Sequence, residues 1–349
     1  MTKKLKVLQL EGDNYHIGYQ HGKALAKEIE QVIQIRYKQL KYNLNISFKE
    51  ALRESLKYYS NAEKYFPEYI KEIEGIADGA QIPFEKVFFI QVASELAYRP
   101  LVECSAFAIT PKYVKDGKVF IGQNLDTLPD LKKYYSILHI KPIGKPEILM
   151  FSYAGIFGYI ALNELGLAHV FNTLKGPGWK YGITHYFIHR KLHEMKSVKE
   201  CAEFIKELPI ASSGNYLISD NEGKIMDLEV THEGVREIYS DKILVHTNHF
   251  LHEDFIDHEN FYTELDSSKF RLNRLTSLIN NKLPISLEEI MSIMGDHENF
   301  PESICRHQKN VPPSIETTAS LIFNPQEGKM FVALGTPCNT SYQCFNIES

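Results

Sequence analysis

Cys104 stands where the chain changes character, with helical periodicity before it and strand-like alternation after it. If the chain is cut between Glu103 and Cys104, the new first residue carries both a thiol and a free α-amine. The ordinary pKa of an α-amine, about 7.7–8.0, lies close to ambient pH and suits a general base. One residue then supplies nucleophile and base together. On position alone, Cys104 also reads as a small buried hydrophobe at the start of a strand. Two other stretches can complete such a site. Gly122-Gln123-Asn124-Leu125-Asp126 ends the strand expected to return beside Cys104, which brings Asp126 to the same edge, where a carboxylate orients an amine. Val245-His246-Thr247-Asn248-His249 follows an apolar strand, and Asn248 there offers a side-chain NH₂ to a developing oxyanion. Taken singly, Asp126 is an ordinary turn aspartate and Asn248 an ordinary strand-ending asparagine.

The elements around these residues are legible from periodicity. Apolar residues from Leu25 to Leu40 trace a broad face of a helix over Gly22–Tyr42. Ser47 with Glu50 three residues on is a capping box opening a helix over Ser47–Tyr59. Further helices are expected from Pro67 to Gly79 and from Ile82-Pro83 to Leu96, with Tyr98-Arg99-Pro100 as the stop. Hairpins follow: Ser105–Tyr113 with Lys118–Asn124 around Lys115-Asp116-Gly117, and Asn215–Ser219 with Lys224–Val230. A last hairpin joins Ala319–Asn324 to Lys329–Leu334. Strands are also expected at Tyr135–Ile140, Glu147–Tyr153, Gly158–Asn163, Leu167–Asn172 and Lys242–Thr247. Helices are expected over Ile183–Glu194, Val198–Leu208, Phe261–Ile279 and Leu287–Met294. Hairpins and helices in separate blocks indicate an α+β protein.

Composition narrows the function. The 349 residues are 44% hydrophobic and 24% charged, ordinary globular values, with a net charge of −5 and no basic stripe for nucleic acid. No stretch reaches the roughly 20 apolar residues of a membrane helix, and Met1 to Asp13 has no apolar core of a signal peptide. Cys104, Cys201, Cys305, Cys338 and Cys344 form no CxxC pair and no disulfide framework, which fits a reducing compartment. The expectation is a cytoplasmic protein with neither nucleic acid nor membrane as partner.

A metal-dependent hydrolase is the rival chemistry. His246, His249, His252 and His258 cluster in sequence, and His185, His189 and His193 recur on one helix face. No HExxH-type motif accompanies them and no His–Cys pairing is evident, so the helix histidines are expected as a solvated or half-buried stripe and no metal is expected. A non-enzymatic scaffold is the other alternative; it leaves the ordered Cys104, Asp126 and Asn248 as coincidence.

Together and in this order the motifs resemble the acyl-coenzyme A:6-aminopenicillanic acid acyltransferase-like family of N-terminal nucleophile (Ntn) hydrolases. The resemblance runs along nearly the whole chain, through Tyr15–Gly22, Glu103–Ala108, Gly122–Asp126, Leu167–Asn172, His246–His249, Ile304–His307 and Ile322–Pro325. It implies a four-layer αββα sandwich, synthesis as a precursor and self-cleavage before Cys104. Residues 1–103 are then an N-terminal helical segment and residues 104–349 the catalytic region, in one structural unit. It carries the nucleophile onto Cys104, the amine-orienting carboxylate onto Asp126 and the oxyanion donor onto Asn248, with Asn172 bordering the site. No cofactor is implied. The implied substrate is a small acyl amide or acyl thioester, hydrolysed or passed to an amine; a pure amidase of the choloylglycine and penicillin V hydrolase type is the alternative. The retained N-terminal fragment is the implied partner. Two departures stand out: Glu103 occupies a position where members often have glycine, and Ser314–Thr318 lacks an arginine often found there, leaving Arg306 as the nearest candidate.

Overall fold

The helical periodicity ahead of Cys104 is realised as a helical layer led by one edge strand. The computed structural model describes residues 5–97, 102–176, 180–257, 266–310 and 314–347. Strand β1 (Lys6–Gly12) leads into α1 (Asn14–Leu44), α2 (Phe48–Ser55), α3 (Tyr59–Tyr65), α4 (Pro67–Ala80) and α5 (Phe84–Leu96). The Ser47–Glu50 capping box forms as expected, but the helix it opens ends at Ser55, and Leu56–Tyr58 tightens into a 3₁₀ turn before α3. The Tyr98-Arg99-Pro100 stop lies outside the described residues.

Two glycine pairs set the crossing of α1 and α4. A Cβ on Gly18 would sit 1.9 Å from the Glu72 carbonyl oxygen, and one on Gly22 would sit 2.1 Å from that of Ile76. Gly75 and Gly79 face the Tyr15 and Tyr19 carbonyls at the same 2.1 Å. The backbones are in contact along this seam, which explains the glycines of the Tyr15–Gly22 motif in packing terms.

The remaining chain forms two sheets. Strands β2 (Glu103–Ile109), β3 (Phe120–Thr127), β4 (Tyr135–Pro142), β5 (Ile148–Tyr153), β6 (Ile160–Asn163) and β7 (Ala168–Thr173) precede α6 (His185–Leu192) and α7 (Val198–Lys206). Then come β8 (Gly214–Ser219), β9 (Ile225–Thr231), β10 (Gly234–Tyr239), β11 (Ile243–His246), α8 (Glu253–Ile256), α9 (Asp266–Asn280) and α10 (Leu287–Met294). Strands β12 (Glu316–Asn324), β13 (Lys329–Ala333) and β14 (Gln343–Asn346) close the described chain. One sheet has eight strands in the order β1-β4-β5-β6-β7-β8-β9-β10, and the other six in the order β11-β2-β3-β12-β13-β14.

The sheets pack face to face, β2 and β3 against β7 and β8. Leu275, Ile279, Ile290 and Met294 from α9 and α10 join Phe107, Phe120 and Ile322 on the outer face of the six-stranded sheet. The other helices flank the eight-stranded sheet, giving the four-layer αββα sandwich. One strand boundary differs from expectation for a clear reason. The strand expected to reach Tyr113 stops at Ile109, because Pro111 has no N–H for the ladder and turns the chain into a 3₁₀ segment. The helix expected from Phe261 is described only from Asp266; residues 261–265 lie outside the described residues.

Residues before and after Cys104 are interlocked. Strand β1 runs parallel to β4, from Lys6 opposite Ser136 to Gly12 opposite Pro142. Glu72 of α4 and Arg190 of α6 form a buried ion pair at 3.2 Å, and Asn14 donates to the same carboxylate at 2.7 Å. Among the described residues, no helix is long and apolar enough to cross a membrane.

Candidate active site

Strand β2 pairs with β3 so that Glu103 is opposite Asp126 and Cys104 opposite Leu125. Successive side chains of a strand face opposite ways. Cys104 therefore points between the two sheets, while Glu103, Ser105 and Asp126 face the α9 side, where two arginines meet them. The three sequence candidates meet in this region, Asn248 from 144 residues beyond Cys104.

The Cys104 N–H donates to Asn248 Oδ1 at 2.9 Å, and Asn248 Nδ2 donates to the Thr173 carbonyl at 3.0 Å. A primary amide has two N–H donors, so one hydrogen of Asn248 remains beyond that bond. In the uncut chain its carbonyl end, rather than its NH₂, faces the Cys104 nitrogen. Asp126 is fully buried; Thr317 Oγ1 donates to its Oδ1 at 2.7 Å, and its Oδ2 has no partner among the described residues. Burial pushes the Asp126 carboxyl up to about 7, against the pull of Arg271 and Arg306. Burial, with Asp126 nearby, also pushes the Cys104 thiol well above its ordinary range.

Three contacts escaped the sequence reading. Arg271 of α9 is fully buried and donates to the Cys104 carbonyl (2.6 Å), Ser105 Oγ (2.9 Å), Glu103 Oε2 (2.7 Å) and Asn248 Oδ1 (3.1 Å). A lone arginine within a helical pattern looks solvated; only tertiary folding brings it to β2. Gln123 Nε2 donates to Cys104 Sγ at 3.4 Å while its Oε1 accepts from the Phe171 N–H at 2.8 Å, so β7 fixes the side chain that touches the thiol. It lay inside the motif flagged for Asp126. Thr317, the partner of Asp126, sits in the stretch noted only for lacking arginine.

The departures at Glu103 and Arg306 explain each other. Glu103 Oε2 accepts from Arg306 Nη1 at 2.9 Å as well as from Arg271, so its charge is held between two buried guanidinium groups. Asn172, expected to border the site, donates to the His246 carbonyl at 3.3 Å and fastens β7 to β11 instead; its neighbours Phe171 and Thr173 line the cavity.

That cavity opens on Cys104. Arg36, Ser94 and Glu95 from the segment before the expected cut line it, facing Tyr135, Tyr153, Tyr159 and Tyr186 from the segment after. The Arg36 guanidinium is buried, bonds to the Tyr153 hydroxyl and to Gln39 Oε1 (3.1 Å), and leaves Nε without a partner. No carboxylate forms an ion pair with it among the described residues. Burial pushes Glu95, on the same wall, up to about 7.

The expected solvated or half-buried stripe on α6 is corrected, and His185 and His189 line the cavity. His185, His189 and His193 are buried because α6 packs against the eight-stranded sheet, and burial lowers all three. His189 Nδ1 pairs with His169 Nε2 at 2.7 Å, and His193 Nε2 with the Tyr159 carbonyl at 2.9 Å. His246 pairs with Glu229 at 2.9 Å; burial would lower it, but Asp227 and Glu229 outweigh that and raise it to about 9. His249 bonds to Ser268 Oγ at 2.8 Å, His252 caps α8, and His258 lies outside the described residues.

Comparison with known proteins gives a consistent picture. Residues 114–339, the greater part of the chain, match the family described as acyl-coenzyme A:6-aminopenicillanic acid acyl-transferase. The acyl-coenzyme A:6-aminopenicillanic-acid-acyltransferase 40 kDa form of Emericella nidulans is 27% identical over 336 residues, spanning 94% of this chain and 92% of that protein. The β-alanyl-dopamine/carcinine hydrolase of Drosophila melanogaster is 22% identical over 378 residues, spanning 97% and 95%. Among solved structures, a variant of the conjugated bile acid hydrolase from Clostridium perfringens superposes with a TM-score of 0.53 at 16% identity, over 70% of this chain and 93% of that one.

Proposed function

Because the chain belongs to the acyl-coenzyme A:6-aminopenicillanic acid acyl-transferase family, an enzyme family acting on acyl groups at amide bonds by transfer or hydrolysis, we propose that it works through Cys104 after cutting itself at Glu103–Cys104. The observation that carries this reading is the convergence on the Cys104 nitrogen and its carbonyl. Asn248, Arg271 and Glu103 are held there by β2, β11 and α9, and Asp126 stands opposite on β3.

In the first stage the Cys104 thiol attacks the Glu103 carbonyl carbon, and its proton passes through water to restore Asp126 after Asp126 has protonated the leaving nitrogen. The C–N bond breaks, the nitrogen takes a proton, and a thioester joins Glu103 to Sγ. Asp126, buried and near half-protonated at neutral pH, is a suitable source of that proton. Water then hydrolyses the thioester, leaving a Glu103 carboxylate, the free thiol and a new α-amine. Arg271 and Arg306 already gather negative charge around Glu103.

In the second stage the Cys104 thiolate attacks an acyl carbonyl in the cavity, and the α-amine shuttles the proton to the leaving group. Asp126 orients the amine; the remaining Asn248 N–H, with a backbone N–H, stabilises the oxyanion. The acyl-Cys104 intermediate passes to water or to an amine. Residues 1–103 and 104–349 stay together as one unit, since the cavity takes Arg36 and Glu95 from one and Cys104 from the other. Buried Arg36, which has no carboxylate partner among the described residues, favours a substrate with an anionic or strongly accepting group. The relatives named for 6-aminopenicillanic acid and for β-alanyl-dopamine suggest small acyl amides as substrates, with a purely hydrolytic enzyme as the second possibility.

The test is intact-mass analysis of freshly purified protein. Two co-purifying fragments ending at Glu103 and beginning at Cys104 are expected, together with an acyl adduct on the second during turnover of an N-acyl amide. A single mass that persists on incubation, or turnover that survives Cys104→Ala, overturns the reading.

A further inference from the structure

Four side chains with metal-binding chemistry meet outside the site described above. His297 follows α10, Cys305 and His307 lie on the segment leading to β12, and Cys338 lies in the loop between β13 and β14. Their ligand atoms all lie within 4.8 Å of one another. His307 Nε2 is 3.0 Å from His297 Nε2, 3.7 Å from Cys305 Sγ and 3.6 Å from Cys338 Sγ.

The three separations from His307 come close to the edges of a tetrahedral zinc site. With Zn–N near 2.0–2.1 Å and Zn–S near 2.3 Å, tetrahedral zinc sets edges of about 3.3 Å between two nitrogens and about 3.6 Å between nitrogen and sulfur. A Cys₂His₂ donor set with no carboxylate is soft enough for zinc and a poor site for magnesium or calcium. Backbone bonds hold the ligand loops: the Cys305 N–H donates to the Asp296 carbonyl at 3.0 Å, and the His307 N–H to the Pro301 carbonyl at 2.9 Å. Ser303 Oγ donates to the Cys305 carbonyl at 2.6 Å. The sequence hides this site, since ligands two residues apart are joined to others 8 and 31 positions away, with no recurrent zinc spacing.

We propose that His297, Cys305, His307 and Cys338 bind one structural zinc ion that ties the loops flanking β12 and β13 together. No open position remains for water, so the metal is a clip and takes no part in acyl chemistry. It acts next to the chemistry all the same. Arg306 stands between two of the ligands; its side chain holds Glu103, and its N–H donates to Thr317 Oγ1 at 2.8 Å, the hydroxyl that donates to Asp126. The site stands or falls independently of the catalytic reading.

The experiment measures zinc per chain by mass spectrometry of protein purified without chelator, then incubated with excess zinc chloride and desalted. About one zinc per wild-type chain is expected, falling below about 0.1 in Cys305→Ser and Cys338→Ser, while Cys344→Ser keeps its metal. Should the two variants fail to fold, cobalt(II) added to zinc-stripped wild type decides the matter. Tetrahedral visible bands with thiolate charge transfer support the site; their absence overturns it. Wild type that keeps less than about 0.1 zinc, or whose mass is two units light from a Cys305–Cys338 disulfide, overturns it equally.

Discussion

Replacing Asp126 by Asn should shift the stability of the uncut chain increasingly in the variant's favour as pH rises. The carboxyl is buried with one oxygen unpartnered, and its pKa is raised from 3.8 to about 7. A carboxyl raised in the folded state favours folding only while neutral. Its contribution is whole below the unfolded value of 3.8 and is lost as pH rises through about 7. Linkage makes this loss about 2.3 kcal/mol at about pH 5.5 and about 4.3 kcal/mol at about pH 8. Asn cannot ionise, and its Oδ1 can still accept from Thr317, though an unmatched Nδ2 costs about 1–3 kcal/mol at every pH. That constant drops out of a comparison between two pH values. The stability gap between Cys104→Ala/Asp126→Asn and Cys104→Ala, both uncuttable, should widen by about 2 kcal/mol from about pH 5.5 to about pH 8. Equilibrium urea unfolding at the two pH values measures it. The mature enzyme should show the opposite sign, because a new ammonium beside Asp126 favours the carboxylate. A gap in the uncut pair that stays constant with pH would refute the claim that Asp126 is a carboxyl held back from ionising.

Other residues give separate expectations. Asn248→Ala in cleaved protein should lower kcat by about 10²–10³ with a smaller change in KM, as steady-state kinetics on one N-acyl amide would reveal. Arg36→Met should raise KM for anionic substrates by about tenfold or more while sparing neutral analogues, measured as a ratio on matched pairs. Gly18→Ala forces a Cβ to within 1.9 Å of the Glu72 carbonyl oxygen and should cost about 1–3 kcal/mol in urea unfolding, because backbone has to move. An unchanged midpoint would mean that α1 and α4 tolerate separation.

The hairpins, the capping box and the change at Cys104 were legible because turn chemistry and local periodicity decide them. Strands β1, β10 and β14 were not, for reasons visible in their surroundings. All are edge strands or lie next to one, and β10 has no residue buried enough to give an alternating pattern. Cys104, Asp126 and Asn248 could be nominated because strand ends limit where such side chains can go. Arg271 could not: it shares a helix pattern with solvated residues, and its burial depends on packing between α9 and β2. The cluster of His297, Cys305, His307 and Cys338 was hidden for the same reason, since loops from three elements bring it together. The stripe on α6 failed differently. Histidines at a four-residue interval mark a helix face, but the sheet that covers that face is remote in sequence.

Strand β1, locked in parallel to β4, gives any cut at Glu103–Cys104 an unusual thermodynamic character. The severed segment has a backbone ladder to the edge of the large sheet and a buried Glu72–Arg190 pair to α6. The product of such a cut would be a heterodimer whose halves never had to meet as separate molecules, since both would have folded at the very high effective concentration of a single chain. Dissociation would strip β1 from the edge of the large sheet and take Glu72 from Arg190 together, and reassociation would start from two partners lacking complete cores. Separately expressed halves should therefore complement poorly, even though halves made from one chain hold fast. A cut there would fix a partnership that diffusion would struggle to assemble.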